Sequence, residues 1–210
     1  MKTLNGRTRT RSNGDARRSI PSLASLQVPF TKAELTERRA FGLPTDEIAP
    51  GGILYDPPRG RLVVPKKAIS APAVLNEAPA YGSAFTRGLR VDLPGGITHL
   101  VISGTASVGE HGETLYEGDF RAQLWRTYRN ITSLLQSEGA TWYDVVRTTC
   151  YLRDIERDYS AFNSIRNEFY RALGLDPFPA STAIQARICR SDLLVEIEAL
   201  AILIREGAKC

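Results

Sequence analysis

The most apolar stretch of the chain, Leu193 to Ile204, is interrupted only by Glu196 and Glu198. It is far too short for the roughly 18–20 apolar residues that cross a bilayer, so it reads as a strand, Leu194–Ile204, inside a protein. Beyond Glu198 the apolar residues fall on both faces, the pattern of a strand covered on both sides. Any fold for this chain must therefore lay protein against each face of the sheet that holds this strand.

Upstream, Leu89–Leu93, Pro94-Gly-Gly96 and Ile97–Ser103 read as strand, tight turn and strand. Gly104 to Gly118 is a long polar loop. Asp119 can cap a helix in which Phe120, Leu124, Tyr128, Ile131 and Leu135 recur at spacings of three and four until Gly139. Val145–Leu152 is β-branched and strand-like. Tyr159, Phe162, Ile165, Phe169 and Leu173 mark a second amphipathic helix, closed by Gly174 and Pro177. In Thr182–Ile188, Thr182, Ile184, Ala186 and Ile188 share one face. The order β-β-α-β-α-β-β predicts an α+β fold, a mixed sheet with both helices on one face. Too little chain remains for a second covering layer, so association with copies of itself is expected.

The first 80 residues are less patterned. Lys2, Arg7, Arg9, Arg11, Arg17 and Arg18 are opposed only by Asp15, and residues 1–30 read as a disordered basic tail. No aromatic residue interleaves these arginines to stack bases, so no nucleic-acid partner is expected. Residues 31–80 read as an extension and linker. Within them Thr31 and Glu34 fit a capping box for a short helix through Phe41, stopped by Gly42 and Pro44. Ile53–Tyr55 and Leu62–Val64 flank a Pro-rich turn that suits a hairpin, and Ala71 to Pro79 reads as linker. The domain proper runs over 81–205, with 206–210 as a tail. Cys150, Cys189 and Cys210 form no CxxC or Cys/His cluster, which argues for a cytoplasmic protein without disulfides, metal or cofactor.

The ordered set of motifs after Tyr81 resembles the RidA (YjgF-type) family. Ile102-Ser-Gly-Thr-Ala-Ser107, Gly118-Asp-Phe120 with Gln123 and Asn130, and Asp144 through Asp154 resemble its strand-loop-helix and central strand. Phe162-Asn163, Pro179-Ala-Ser-Thr182 and Val195-Glu-Ile-Glu-Ala199 resemble its second helix and closing strands. This resemblance implies a chorismate-mutase-like fold, a homotrimer, a small-molecule ligand cleft at each subunit interface, and hydrolysis of enamines and imines to ketones and ammonia. Enamine-hydrolysing members carry an arginine where this chain has Ser181, and a cleft tyrosine where it has Phe85. Gly104-Thr-Ala-Ser107, Gly109-Glu-His-Gly112 and Cys189 through Glu196 are also similar to chorismatases, in which a pocket cysteine precedes a catalytic glutamate at this spacing.

Glu196 is the leading catalytic candidate. Its apolar neighbours Val195 and Ile197 favour desolvation, and Glu198 lies about 7 Å away on the same face, both of which raise a carboxyl pKa. The alternative is a carboxylate paired with arginine at an interface. Ser181, Arg187 and Cys189 share strand parity and are candidate substrate contacts. Arg187, about 20 Å from Ser181 along an extended strand, could serve a neighbouring subunit's cleft. Arg190 falls on the opposite face. Thr105 and Ser107 could line a pocket with hydroxyls, and Phe85 and Glu198 complete the candidate binding set. The expected activity is deaminase-like hydrolysis. A non-catalytic ligand-binding trimer, a chorismatase-like enzyme and a nuclease are the competing classes.

Overall fold

The computed structural model describes residues 31–40 and 64–204. The chain divides into two units, residues 1–54 and 55–210. In the first, helix α1 (Lys32–Ala40) starts at the expected capping box. The Glu34 amide donates to Thr31 Oγ1 at 3.1 Å and the Thr31 amide donates to Glu34 Oε2 at 3.3 Å. The tails at 1–30 and 206–210, the stop at Gly42 and Pro44, and the proposed hairpin lie outside the described residues.

The second unit is built from β1 (Lys66–Ile69), β2 (Gly88–Leu93), β3 (Ile97–Ala106), α2 (Phe120–Ser137), β4 (Val145–Leu152), α3 (Ile155–Ala172), β5 (Ala180–Gln185) and β6 (Val195–Ile204). The sheet order is β1-β2-β3-β6-β4-β5. Among the described strands only β4 and β5 run parallel, joined through α3; the other pairings are antiparallel. The α+β reading holds, with one strand more than the sequence pattern suggested. β1 adds to the sheet edge by pairing Lys66–Ile69 with Gly88–Val91. The segment read as linker is packed as well: Leu75 and Ala78 are fully buried, and the Asn76 amide donates to the Gly109 carbonyl at 3.1 Å.

Side-chain alternation along β6 sets the two faces. Val195, Ile197, Ala199 and Ala201 point under the helices and are buried, while Glu196, Glu198, Leu200 and Ile202 face the other way. Both helices lie on the first side. Asp119 Oδ1 accepts from the Ala122 amide and Asp154 Oδ1 from the Arg157 amide, each at 3.0 Å, which satisfies one free donor at each helix start. Leu124, Tyr128, Ile131 and Leu135 of α2 meet Phe162 and Ile165 of α3 in one core. Tyr128 stacks on Phe169 at 4.5 Å between ring centroids, and Trp142 closes over both edge-on.

Among the described residues, none covers the opposite sheet face. Val101 is 47% exposed, Ile204 76%, and Leu200 and Ile202 are only partly buried. Among the described residues no helix is long and apolar enough to cross a membrane.

Candidate functional site

The site begins with a defect in β3. The register of β3 against β6 shifts between Ile102 and Thr105, a bulge that holds Ser103 and Gly104. Opposite it, the Glu196 carboxylate lies close against Gly104 of β3. A Cβ on residue 104 would sit 2.0 Å from Glu196 Oε1. Gly104 thus makes the space in which that carboxylate rests, the role a glycine inside a strand often has.

Glu196 forms part of the wall of a cleft of about 400 Å³, with Phe85, Arg87, Gly104, Cys189 and Arg190 among the other lining residues. Burial, then the neighbouring Glu198 carboxylate, push the Glu196 carboxyl above the ordinary range, and the Arg87 guanidinium pulls the other way. Both arginines are fixed by their own contacts. Arg87 is 4% exposed; it donates from Nε to the Asn76 carbonyl at 2.7 Å and from Nη2 to Asn76 Oδ1 at 2.9 Å. Its guanidinium carbon stands 5.4 Å from the centroid of the Phe85 ring. Arg190 donates to the Gly112 carbonyl at 2.8 Å and to Thr114 Oγ1, and pairs with Asp192 at 3.5 Å. The result is a half-enclosed cleft with one proton-accepting carboxylate, two oriented guanidinia, a thiol and an aromatic wall.

Of the residues expected at the site, Glu196, Cys189 and Phe85 meet in this cleft. Glu198 faces an adjoining cleft of about 550 Å³ on the open sheet face, with Val101, Ser103, Arg147, Thr149 and Leu200. There Glu198 Oε2 accepts from the Tyr151 hydroxyl at 3.0 Å. The two clefts share Gly104, so the glutamates stand on either side of the same bulge.

The remaining expectations need correction. Thr105 and Ser107 are fully buried, and their hydroxyls donate to the carbonyls of Ser103 and Leu115, both at 2.8 Å. They satisfy backbone carbonyls rather than line the cleft. Arg187 does not continue the strand parity of Ser181, because β5 ends at Gln185 and the Ile188 amide donates to the Ala186 carbonyl at 3.0 Å. Arg187 is the middle residue of that tight turn, exposed and apart from the cleft. Ser181 faces the helix side of the sheet at its β5 edge, hydrogen-bonded to Thr148 Oγ1 at 3.0 Å. Within one chain it therefore lies across the sheet from Glu196. The guanidinium nearest it comes from α3, with Arg166 Nη1 3.4 Å from Ser181 Oγ.

Arg87 and Gly104 are the residues that the sequence pattern did not single out. A glycine inside a β-branched strand was the available signal for the bulge. Arg87 carried none, because its place depends on the Asn76 segment folding back. Arg190 lines the cleft instead of lying on the opposite face because the strand stops earlier than the alternation does. Among the described residues, no group of three or more His, Cys, Asp or Glu side chains comes together to hold a metal.

Comparison with known proteins agrees with this architecture. A RutC family protein from Pyrococcus abyssi is 28% identical over 102 residues, 49% of this chain and 76% of that protein. A RutC family protein from Synechocystis is 31% identical over 87 residues, 41% of this chain and 64% of its own length. The crystal structure of the YjgF gene product from E. coli superposes with a TM-score of 0.54 at 24% identity, covering 67% of this chain and 99% of that one. The fold shared with that structure, and the match of residues 90–203 to the model of the endoribonuclease L-PSP family, lead to one conclusion: the chain belongs to that family, the group of RutC, YjgF and RidA proteins.

Proposed function

We propose that this protein hydrolyses small unsaturated carboxylates of the imine or enamine type in the Glu196 cleft. The observation that carries the reading is the pairing of one carboxyl of raised pKa with two fixed guanidinia in the same half-enclosed space. A carboxyl pushed above its usual range exchanges protons nearer neutrality, which suits it to general acid–base work. In the reaction, Arg87 and Arg190 attract the substrate carboxylate. Glu196 accepts a proton from water as the water oxygen bonds to the imine carbon. The protonated carboxyl returns that proton to the nitrogen to give a carbinolamine, and the hydroxyl proton then passes through Glu196 to the nitrogen as the carbon–nitrogen bond breaks, so that imine and water become ketone and ammonia. An enamine enters the same route after protonation at carbon.

The uncovered apolar sheet face supports a second part of the proposal, that three copies associate and enclose the clefts. Ser181 favours one competing reading, a ligand-binding trimer without turnover, because a serine supplies no charged fork for a carboxylate. The test is release of ammonia and pyruvate from enzymatically generated 2-iminopropionate, with an uncharged imine of similar size as control. Faster release than buffer for the carboxylate alone supports the hydrolase. Saturable binding of pyruvate without any acceleration supports the binding protein.

A further inference from the structure

A third cleft, on the outer face of α2, is lined by Tyr116, Ala122, Trp125, Arg126 and Arg129 and has a volume of about 320 Å³. Ala122, Trp125, Arg126 and Arg129 fall at spacings of three and four, so their side chains form one continuous patch along the helix. The small Ala122 leaves room between the indole and the loop that carries Tyr116. That loop is held in an unusual way: Tyr116 is a non-glycine residue at φ 60°, and the residue is 54% exposed. Its carbonyl is fixed by Gln123 Nε2 at 3.2 Å.

The second observation is Arg126. Its side chain is buried, with only 8% of the residue exposed, yet its Nε has no hydrogen-bond partner. One bond, from Nη2 to the Val74 carbonyl, holds the guanidinium in place. A desolvated guanidinium donor left unpaired is costly, and such groups in native proteins call for a partner. Burial, then the Arg129 charge, lower its pKa, while Glu110, Tyr116 and Glu113 act the other way. The patch therefore combines a cationic floor with an exposed indole and phenol. A ligand that satisfied all three would be flat and would carry negative charge at one end.

We propose that this cleft binds a planar ring bearing an anionic group, a carboxylate or a phosphate, independently of the Glu196 cleft. The ring would lie against Trp125 and Tyr116, and the anion would face Arg126 and Arg129. Nothing in the proposed hydrolysis uses these residues.

Tryptophan fluorescence excited at 295 nm tests the proposal on the full chain. The sequence has two tryptophans; Trp125 is 38% exposed while Trp142 is 4% exposed, so a ligand in this cleft reports through Trp125. Adenosine monophosphate and benzoate are the ring-bearing anions; adenosine and inorganic phosphate supply the ring or the anion alone. Saturable quenching by one or both anionic rings is expected, with dissociation constants about tenfold weaker or more in Arg129→Ala. The signal should be lost in Trp125→Phe, and 2-iminopropionate turnover should be unchanged in Arg129→Ala. A response to adenosine monophosphate alone selects phosphate as the anion, and one to benzoate alone selects carboxylate. No saturable response to either, or equal binding to the Arg129→Ala variant, overturns the proposal.

Discussion

Glu196 owes its properties to two neighbours that act in opposite senses. Burial and Glu198 disfavour its charged form, and Arg87 favours it; the first pair prevails. For a carboxyl whose folded pKa lies above the unfolded value, the folded state holds its proton more tightly. Stability is then lost as pH rises from the ordinary carboxylate range, about 4, through the raised value. Glu196→Gln removes that loss. The variant should melt at a higher temperature than the parent at pH 7.5, with the gap closing toward about pH 4. A parent protein more stable than the variant at pH 7.5 would mean that Arg87 dominates after all. Glu196 could be found from sequence because its environment is local: a charged residue on an apolar strand. Arg87 could not, because its position depends on the Asn76 carbonyl, which arrives from a separate segment.

At the scale of elements, the bulge in β3 is the device that creates the site. In Gly104→Ala the new methyl would first meet the Glu196 side chain, whose carboxylate end can move away. The fold should therefore be kept, with a small change in melting temperature, while turnover falls by roughly a hundredfold as the carboxylate is displaced by an ångström or so. Unchanged turnover in Gly104→Ala would show that the resting place of this carboxylate does not matter. Strands and helices with clear periodicity were legible in the sequence: β4 and the capped start of α2 fall where the pattern put them. β1 was not, since Lys-Lys-Ala-Ile has no alternation of its own and becomes a strand only by pairing with β2. The end of β5 is not legible in the sequence, because alternation continues through Ile188 while the hydrogen bonds close a turn instead.

For the whole molecule, the sheet face opposite the helices sets the terms. Leu200 and Ile202 on β6 and Val101 on β3 leave apolar surface that a second and third copy can cover. Light scattering should give about three times the 23.1 kDa chain mass, and Leu200→Glu should reduce it toward one chain. A parent protein that scatters as a single chain would remove self-association from the proposal. The expectation of a second layer rests on the two-sided apolar pattern of the last strand, and no one segment encodes what such a layer would be. The decisive comparison is ammonia release from 2-iminopropionate by the parent protein and by Glu196→Gln at equal concentration, with light scattering confirming that both have the same mass. Turnover in the parent and its loss by a factor of a hundred or more in the variant is the expected result; equal turnover in the two proteins would contradict the assignment of Glu196 as the group that moves the proton.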